Sequence, residues 1–192
     1  MTVELHKAYI IGIGLGDGNL SNPNKRAVRL RVTCDKKYPK LIQKIRKSIS
    51  IILPKNRVSI VDRKDGCVDI SCYSNQWEGI LGWKAGEGSK AKQKIGIPEW
   101  IKQEKRYEIE CLRGLIETDG SIYNDRKYKM VIFTSSVFRL ANDVYSSIIK
   151  IGFNPRFYKI EKTGKNKNRT IYHVRLSRET EDFINLVKPE KT

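Results

Sequence analysis

An apolar run closing on Asp-Gly occurs twice in this chain, and that repetition constrains the fold more than any other feature. The first copy is Tyr9-Ile10-Ile11-Gly12-Ile13-Gly14-Leu15-Gly16-Asp17-Gly18, and the second is Cys111-Leu112-Arg113-Gly114-Leu115-Ile116-Glu117-Thr118-Asp119-Gly120. The two aspartates stand about half of the 192-residue chain apart. Such spacing marks an internal duplication, which decides architecture before local propensity does. A single Asp-Gly after a buried segment is an ordinary turn signal. Two copies with glycine or threonine at matching places ask for another reason.

Glycines cost a helix roughly 1 kcal/mol each against alanine. They are useful where two helices approach so closely that a side chain would clash. Gly12 and Gly16 fall one turn apart on one face, and Gly114 with Thr118 forms the equivalent pair; these four are the expected helix interface. Gly18 and Gly120 suit left-handed caps that end the helices. Asp17 and Asp119 then lie at helix C-termini, where the macrodipole disfavours an anion by about 0.3–1 kcal/mol. Two carboxylates gathered where they repel point to a cation, and hard oxygen ligands point to Mg²⁺.

The two nonapeptides Ile10–Gly18 and Leu112–Gly120 resemble the paired motifs of LAGLIDADG homing endonucleases in their single-chain, two-repeat form. The second copy departs little from that pattern. The first has Gly14 and Leu15 where the family prefers an apolar residue and an acid. The resemblance implies a sequence-specific endonuclease that cuts both strands of a long, asymmetric double-stranded DNA target, leaving short 3′ overhangs. It implies two or three divalent ions, with Asp17 and Asp119 as catalytic carboxylates and Asp17, Asp119, Gly16 and Thr118 as the metal-binding residues. It also implies a lysine near each site and a polar residue at the end of each long strand. Lys90, Lys92 or Lys94 fit the first requirement, with Lys90 taken as catalytic, and the linker lysines otherwise fit plain phosphate contacts. Lys188 could serve the second half, and Cys34 or Asp35 and Ser135 fit the strand ends. Two other functions are open to the same fold: an intron RNA maturase, and a DNA-binding protein without catalysis. The retained aspartates argue against the last.

Charge agrees with a polyanionic partner. There are 38 Lys and Arg against 21 Asp and Glu, a net charge of +17, and such a field attracts nucleic acid or an anionic surface. The basic residues are spread along the chain, which favours a broad binding face over a tail. No signal-peptide pattern opens the sequence and no apolar stretch is long enough to span a bilayer. The expectation is an intracellular protein, in cytoplasm, nucleoid or an organelle, not secreted and not in a membrane. Cys34, Cys67, Cys72 and Cys111 fit no metal spacing, and with His6 and His173 as the only histidines they read as reduced, small hydrophobes.

The chain in order supplies two αββαββα repeats. Leu5–Leu15 is a helix, 19–22 a short strand, and 26–34 a strand alternating Val28, Leu30 and Val32 with Arg29, Arg31 and Thr33. Residues 38–53 form an amphipathic helix. Residues 57–63 and 67–73 form a hairpin over Lys64-Asp65-Gly66, with Val68, Ile70 and Cys72 inward and Asp69, Ser71 and Tyr73 outward. Residues 75–81 close the first repeat (1–81). A glycine- and lysine-rich linker (82–103) follows. The second repeat (104–192) has helices over 107–118, 137–151 and 179–187, strands over 121–123, 127–135, 156–161 and 169–177, and a polar loop over 162–168. In its long strand the facing is open: Tyr128, Met130 and Ile132 point outward if the register follows the first half. The fold class is α+β: two pseudo-symmetric repeats, each a four-stranded antiparallel sheet with helices on one face, joined through the two motif helices. An open, basic sheet face can lie in a DNA major groove. The candidate DNA contacts there are Asn19, Ser21, Arg29, Arg31, Thr33, Arg57, Arg63, Asp69, Ser71 and Tyr73 in the first half, and Ser121, Tyr123, Arg156, Arg169, His173 and Arg175 in the second. Trp77, Trp83 and Trp100 flank the linker as anchors between the halves. A duplicated chain carries both half-site surfaces, so the expectation is a monomer.

Overall fold

The motif runs fold as helices because they are packed on all sides. In the computed structural model, which describes residues 1–162 and 169–191, α1 spans Val3–Asp17 and α5 spans Lys105–Thr118. Thr2 caps α1, its Oγ1 accepting from the Leu5 amide at 3.4 Å. Ile10, Ile11, Ile13 and Leu15 of α1 and Cys111, Leu112, Leu115 and Ile116 of α5 are all buried. A Cβ on Gly12 would run into the Cys111 carbonyl, and one on Gly114 would stand 2.5 Å from the Tyr9 oxygen. Gly16 abuts Thr118 in the same way. The backbones meet at these residues, which is what the glycines allow.

After α1 the chain runs β1 (Gly18–Ser21), β2 (Arg29–Asp35), α2 (Pro39–Ile52), β3 (Val58–Asp62), β4 (Cys67–Tyr73) and α3 (Trp77–Leu81). A one-turn helix α4 (Glu99–Lys102) leads into α5, followed by β5 (Gly120–Asp125), β6 (Tyr128–Ser135), α6 (Phe138–Lys150), β7 (Arg156–Lys162), β8 (Arg169–Leu176) and α7 (Thr180–Val187). The sheets are β1-β2-β4-β3 and β5-β6-β8-β7, antiparallel throughout and identical in topology. This is the expected pair of α+β repeats. Of the loop expected over 162–168, residues 163–168 lie outside the described residues.

Each sheet turns one face to the helices. Leu30, Val32, Val68, Ile70 and Cys72 are buried beneath α2 in the first half, and Val131, Phe133, Val174 and Leu176 face the core in the second. That settles the facing of β6: Tyr128, Ile132 and Thr134 lie on the open side, with Met130 buried among its neighbours there. The buried charge of Asp143, at the entrance to the second half, is satisfied. Asp143 accepts from the Ile97 amide at 2.8 Å and from Lys102 Nζ at 2.7 Å.

One expectation needs correction. Neither Gly18 nor Gly120 is left-handed; Gly18 has φ −67° and ψ 138°, already extended. The chain leaves each helix directly into a strand, and this turn is so tight that an added Cβ would stand 2.6 Å from Gly14 Cα at the first glycine and 2.5 Å from the Ile116 oxygen at the second. Of the tryptophans expected as anchors, Trp77 is wholly buried, its Nε1 donating to the Cys72 carbonyl at 2.9 Å. Trp100 packs edge-on against Tyr107 at 5.3 Å, at the start of the second repeat. All four cysteines carry free thiols. Among the described residues no helix is long and apolar enough to cross a membrane.

Candidate active site

Because α1 and α5 pack through Gly12, Gly16, Gly114 and Thr118, their C-terminal ends finish side by side. Asp17 is the last residue of α1, and Asp119 is the C-cap of α5, its amide donating to the Leu115 carbonyl. Thr118 turns its hydroxyl back to the Gly114 and Leu115 carbonyls, at 2.9 and 3.1 Å, so it does not offer that oxygen outward. Among the described residues no hydrogen bond or ion pair engages either aspartate carboxylate. The protein behind them raises both pKa values. Burial, with Asp17's charge adding to it, lifts the Asp119 carboxyl to about 6. Burial likewise raises Asp17, and Lys191 and Lys90 oppose the rise.

Two lysines close the helix ends. Lys90, from the linker, donates to the carbonyls of Gly14 at 2.8 Å, Leu15 at 3.0 Å and Gly16, with its ammonium 5.4 Å from the centre of the Trp83 ring. These are carbonyls of the last turn of α1, where helical partners run out; Gly14's also accepts from the Gly18 amide. Burial lowers Lys90's pKa to about 8, against the pull of Asp119 and Asp17. Of the three linker lysines considered, Lys90 is thus the one whose charge bears on the aspartates. In the second half the corresponding cap is Lys191, donating to the Thr118 carbonyl at 3.1 Å. Lys188, the residue expected there, instead ends α7 in a left-handed conformation with φ 51°. Sequence reasoning missed Lys191 because the tail after α7 has no periodicity to say which lysine turns back.

A second group missed from sequence is the network around Glu117. This residue is 1% exposed. Its carboxylate accepts from Tyr9 Oη at 2.6 Å, Lys44 Nζ at 3.1 Å and the Glu190 amide at 2.8 Å. It ties α5 to α1, to α2 and to the tail that carries Lys191. An 80 Å³ cavity opens beside Asp17, lined by Thr33, Cys34, Asp35, Glu117 and Lys191 among others. The strand-end candidates fare differently. Cys34 lines that cavity but is buried, its thiol pushed up to about 12. Asp35 is drawn to the Lys37 amide and ammonium, at 2.9 and 3.0 Å. Ser135 is buried, its hydroxyl accepting from the Val137 amide at 3.1 Å.

Residues 106–187 match the family model described as a LAGLIDADG-like domain. Compared with solved structures, the whole chain has the two-repeat LAGLIDADG fold. It is similar to mesophilic variants of the homing endonuclease I-DmoI, with a TM-score of 0.69 at 16% identity over 96% of each chain. It is similar to I-DmoI in complex with DNA and Mn, with a TM-score of 0.68 at 16% identity over 97% of each chain. The N-terminal LAGLIDADG domain of DUF199/WhiA also matches, with a TM-score of 0.59 at 14% identity, over 98% of this chain and 83% of that one. No curated protein matches the sequence significantly.

In this LAGLIDADG fold the remaining candidates spread over the two open sheet faces. On the first, Asn19 pairs with Arg31, Ser21 with Arg29, Arg31 with Ser71, Thr33 with Asp69 and Arg29 with Tyr73. Asp69 draws several of them together, accepting from Thr33 Oγ1 at 2.7 Å and Arg63 at 3.4 Å, with Arg31 3.9 Å away. Arg57 stands just before β3 and is exposed. On the second face Ser121 pairs with Ile132, Tyr123 with Met130, Arg175 with Ile132 and Arg156, and His173 with Thr134 and Tyr158. Arg169 begins β8 and pairs with Lys162. On this open side burial, and then nearby Lys162, lower the His173 pKa.

Proposed function

We propose that the chain is a sequence-specific, double-stranded DNA endonuclease that hydrolyses phosphodiesters with Mg²⁺, binding a long asymmetric target as a monomer. The observation that carries this reading is the pair of unpartnered carboxylates, Asp17 and Asp119, at adjoining helix ends under two lysine caps. Placing two anions at helix C-termini weakens the free protein, so their use lies in what they attract. The donor set fits a hard divalent cation. Among the described residues no third His, Cys, Asp or Glu joins them in a metal cluster, so a bound ion would take its other donors from outside the chain's acidic side chains. The Gly16 and Thr118 carbonyls are already engaged by Lys90 and Lys191, and Asp17 and Asp119 are the residues that would hold the metal. A bound divalent ion supplies Lewis-acid activation of water and neutralises charge that develops on the phosphate.

The chain's own residues supply position. Gly12, Gly114 and Gly16 set the separation of the helix ends, and the caps hold Lys90 and Lys191 beside the carboxylates. Lys90, half desolvated and with its pKa near 8, is suited to move a proton or to meet an anionic phosphate close to neutral pH. The +17 net charge and the arginines of both open sheets favour duplex DNA, and affinity should fall steeply with salt, by 10³–10⁵ between about 50 and 200 mM if roughly 6–10 phosphates are contacted. I-DmoI, whose fold this chain has, was solved with DNA and Mn, which supports the same partner and a divalent ion. Two or three ions, short 3′ overhangs and an intracellular location complete the reading.

The test is a plasmid library carrying randomised sites, incubated with the protein and Mg²⁺, with the ends of linearised molecules sequenced. Recovery of one long motif with short 3′ overhangs, lost in EDTA, is the expected result. Duplex bound with no ends produced would leave a catalytically silent binding protein. Preferential binding to a structured intron transcript over duplex would favour the maturase alternative.

A further inference from the structure

The two sheets share one register, so their open-face positions can be compared pair by pair. Gly18 pairs with Val32 and Gly120 with Phe133; Val32 then pairs with Ile70, and Phe133 with Val174. By this register Arg29 and Arg31 of β2 correspond to Met130 and Ile132 of β6. Ser71 of β4 corresponds to Arg175 of β8. Ser59 and Val61 of β3 correspond to Arg156 and Tyr158 of β7. The chemistry is inverted between halves. The first sheet carries Arg29 and Arg31 on β2, and the second carries apolar side chains on β6, with its arginines on the neighbouring β8 (Arg175) and on the edge strand β7 (Arg156).

The apolar side chains of the second face grade from the buried Met130, through the half-buried Ile132, to two exposed tyrosines. Tyr128 is 68% and Tyr158 39% exposed. A depression of about 460 Å³ lies between them, lined also by Met130, Arg156, Arg175 and Arg178. Arg175 is partly committed already, its Nη2 3.3 Å from Asp125. In the major groove guanine offers two acceptors and thymine an oxygen and a C5-methyl. An arginine pair matches the first. A methionine and an isoleucine match the methyl, and would leave guanine's acceptors buried without donors.

Resting on the reading that both sheets lie in the major groove, we propose that the second sheet recognises its half-site through the C5-methyl groups of thymines seated on Ile132 and over the depression that Met130 lines. The first sheet, by contrast, reads guanines with Arg29 and Arg31. The two half-sites of the target therefore differ in base content, and the difference follows from β2 and β6.

The experiment selects bound duplexes from a randomised library with the full chain in Ca²⁺, then replaces thymine by deoxyuridine in one half-site at a time. The base change removes the methyl and leaves the protein untouched, so folding of a variant does not enter. Binding should weaken roughly fourfold per methyl removed in one half-site and less than twofold in the other. Ile132→Ala should abolish the sensitive half-site's response, and Arg31→Ala should leave it in place. A selected target with no thymine opposite β6, equal responses in both halves, or a response unmoved by Ile132→Ala would overturn the proposal while leaving specific DNA recognition intact. If no sequence is enriched over random duplex, or unpaired RNA outcompetes it, the DNA reading fails and the proposal falls with it.

Discussion

The two helix ends that hold the aspartates are built alike but secured differently. At the end of α1, Lys90 arrives from the linker, contacts three carbonyls and lies over the Trp83 ring. At the end of α5, Lys191 arrives from the C-terminal tail and contacts one carbonyl, at 3.1 Å. That tail is fixed in turn by Glu117, through the Glu190 amide. The same helix-to-strand turn has recruited a cation from two unrelated segments. What the repeats share is a charge at a helix terminus, not a residue in a common element, and the second cap is the weaker of the two.

The comparison can be broken first at what the halves share. Gly114→Leu forces a side chain into the backbone of α1, and should destabilise the whole chain by about 3 kcal/mol or more, read as a shifted urea midpoint. Partial unfolding of the second half alone would mean that the halves are held together elsewhere. The difference between caps is sharpened by Lys90→Met and Lys191→Met. Lys90→Met should slow cleavage roughly 10²-fold, and Lys191→Met should slow it less. Strand-resolved nicking should then reveal unequal loss on the two strands, and equal losses would contradict the asymmetry.

The smallest effect is on stability against pH in metal-free protein. The Asp119 carboxyl titrates at about 6 in the fold and near 3.8 when unfolded, so the fold holds the proton more tightly. Its contribution is present below pH 4 and is lost as pH rises through about 6. The full shift corresponds to about 3 kcal/mol, and solvent at this half-buried group reduces that to about 1 kcal/mol. Asp119→Asn should flatten the slope, and a divalent ion should oppose it by binding the ionised form.

Much of this arrangement was legible in the sequence because it rests on local periodicity. Alternation in 29–34 and 68–72 gave the inner faces of the first sheet, and the repeated Asp-Gly gave the helix pair. The facing of β6 was not legible: Met130, Val131, Ile132 and Phe133 are all apolar, so the period-two signal vanishes, and only pairing with β8 decides it. The caps of Gly18 and Gly120 were misread because Asp-Gly commonly signals a left-handed turn, whereas here glycine is needed for close approach to the preceding helical turn. Lys191 and the Glu117 network depend on contacts across more than 70 positions, which no local pattern encodes.

The central claim is that Asp17 and Asp119 form one centre that cuts both strands. The direct measurement is conversion of a supercoiled plasmid bearing the selected target, in Mg²⁺, by Asp17→Asn, Asp119→Asn and the double variant, with binding followed in parallel in Ca²⁺. The account predicts that each single variant fails to linearise the plasmid at the parent's rate, and that the double variant produces neither nicked nor linear product while still binding. Linearisation by the double variant at the parent's rate would contradict it and reduce both aspartates to turn residues.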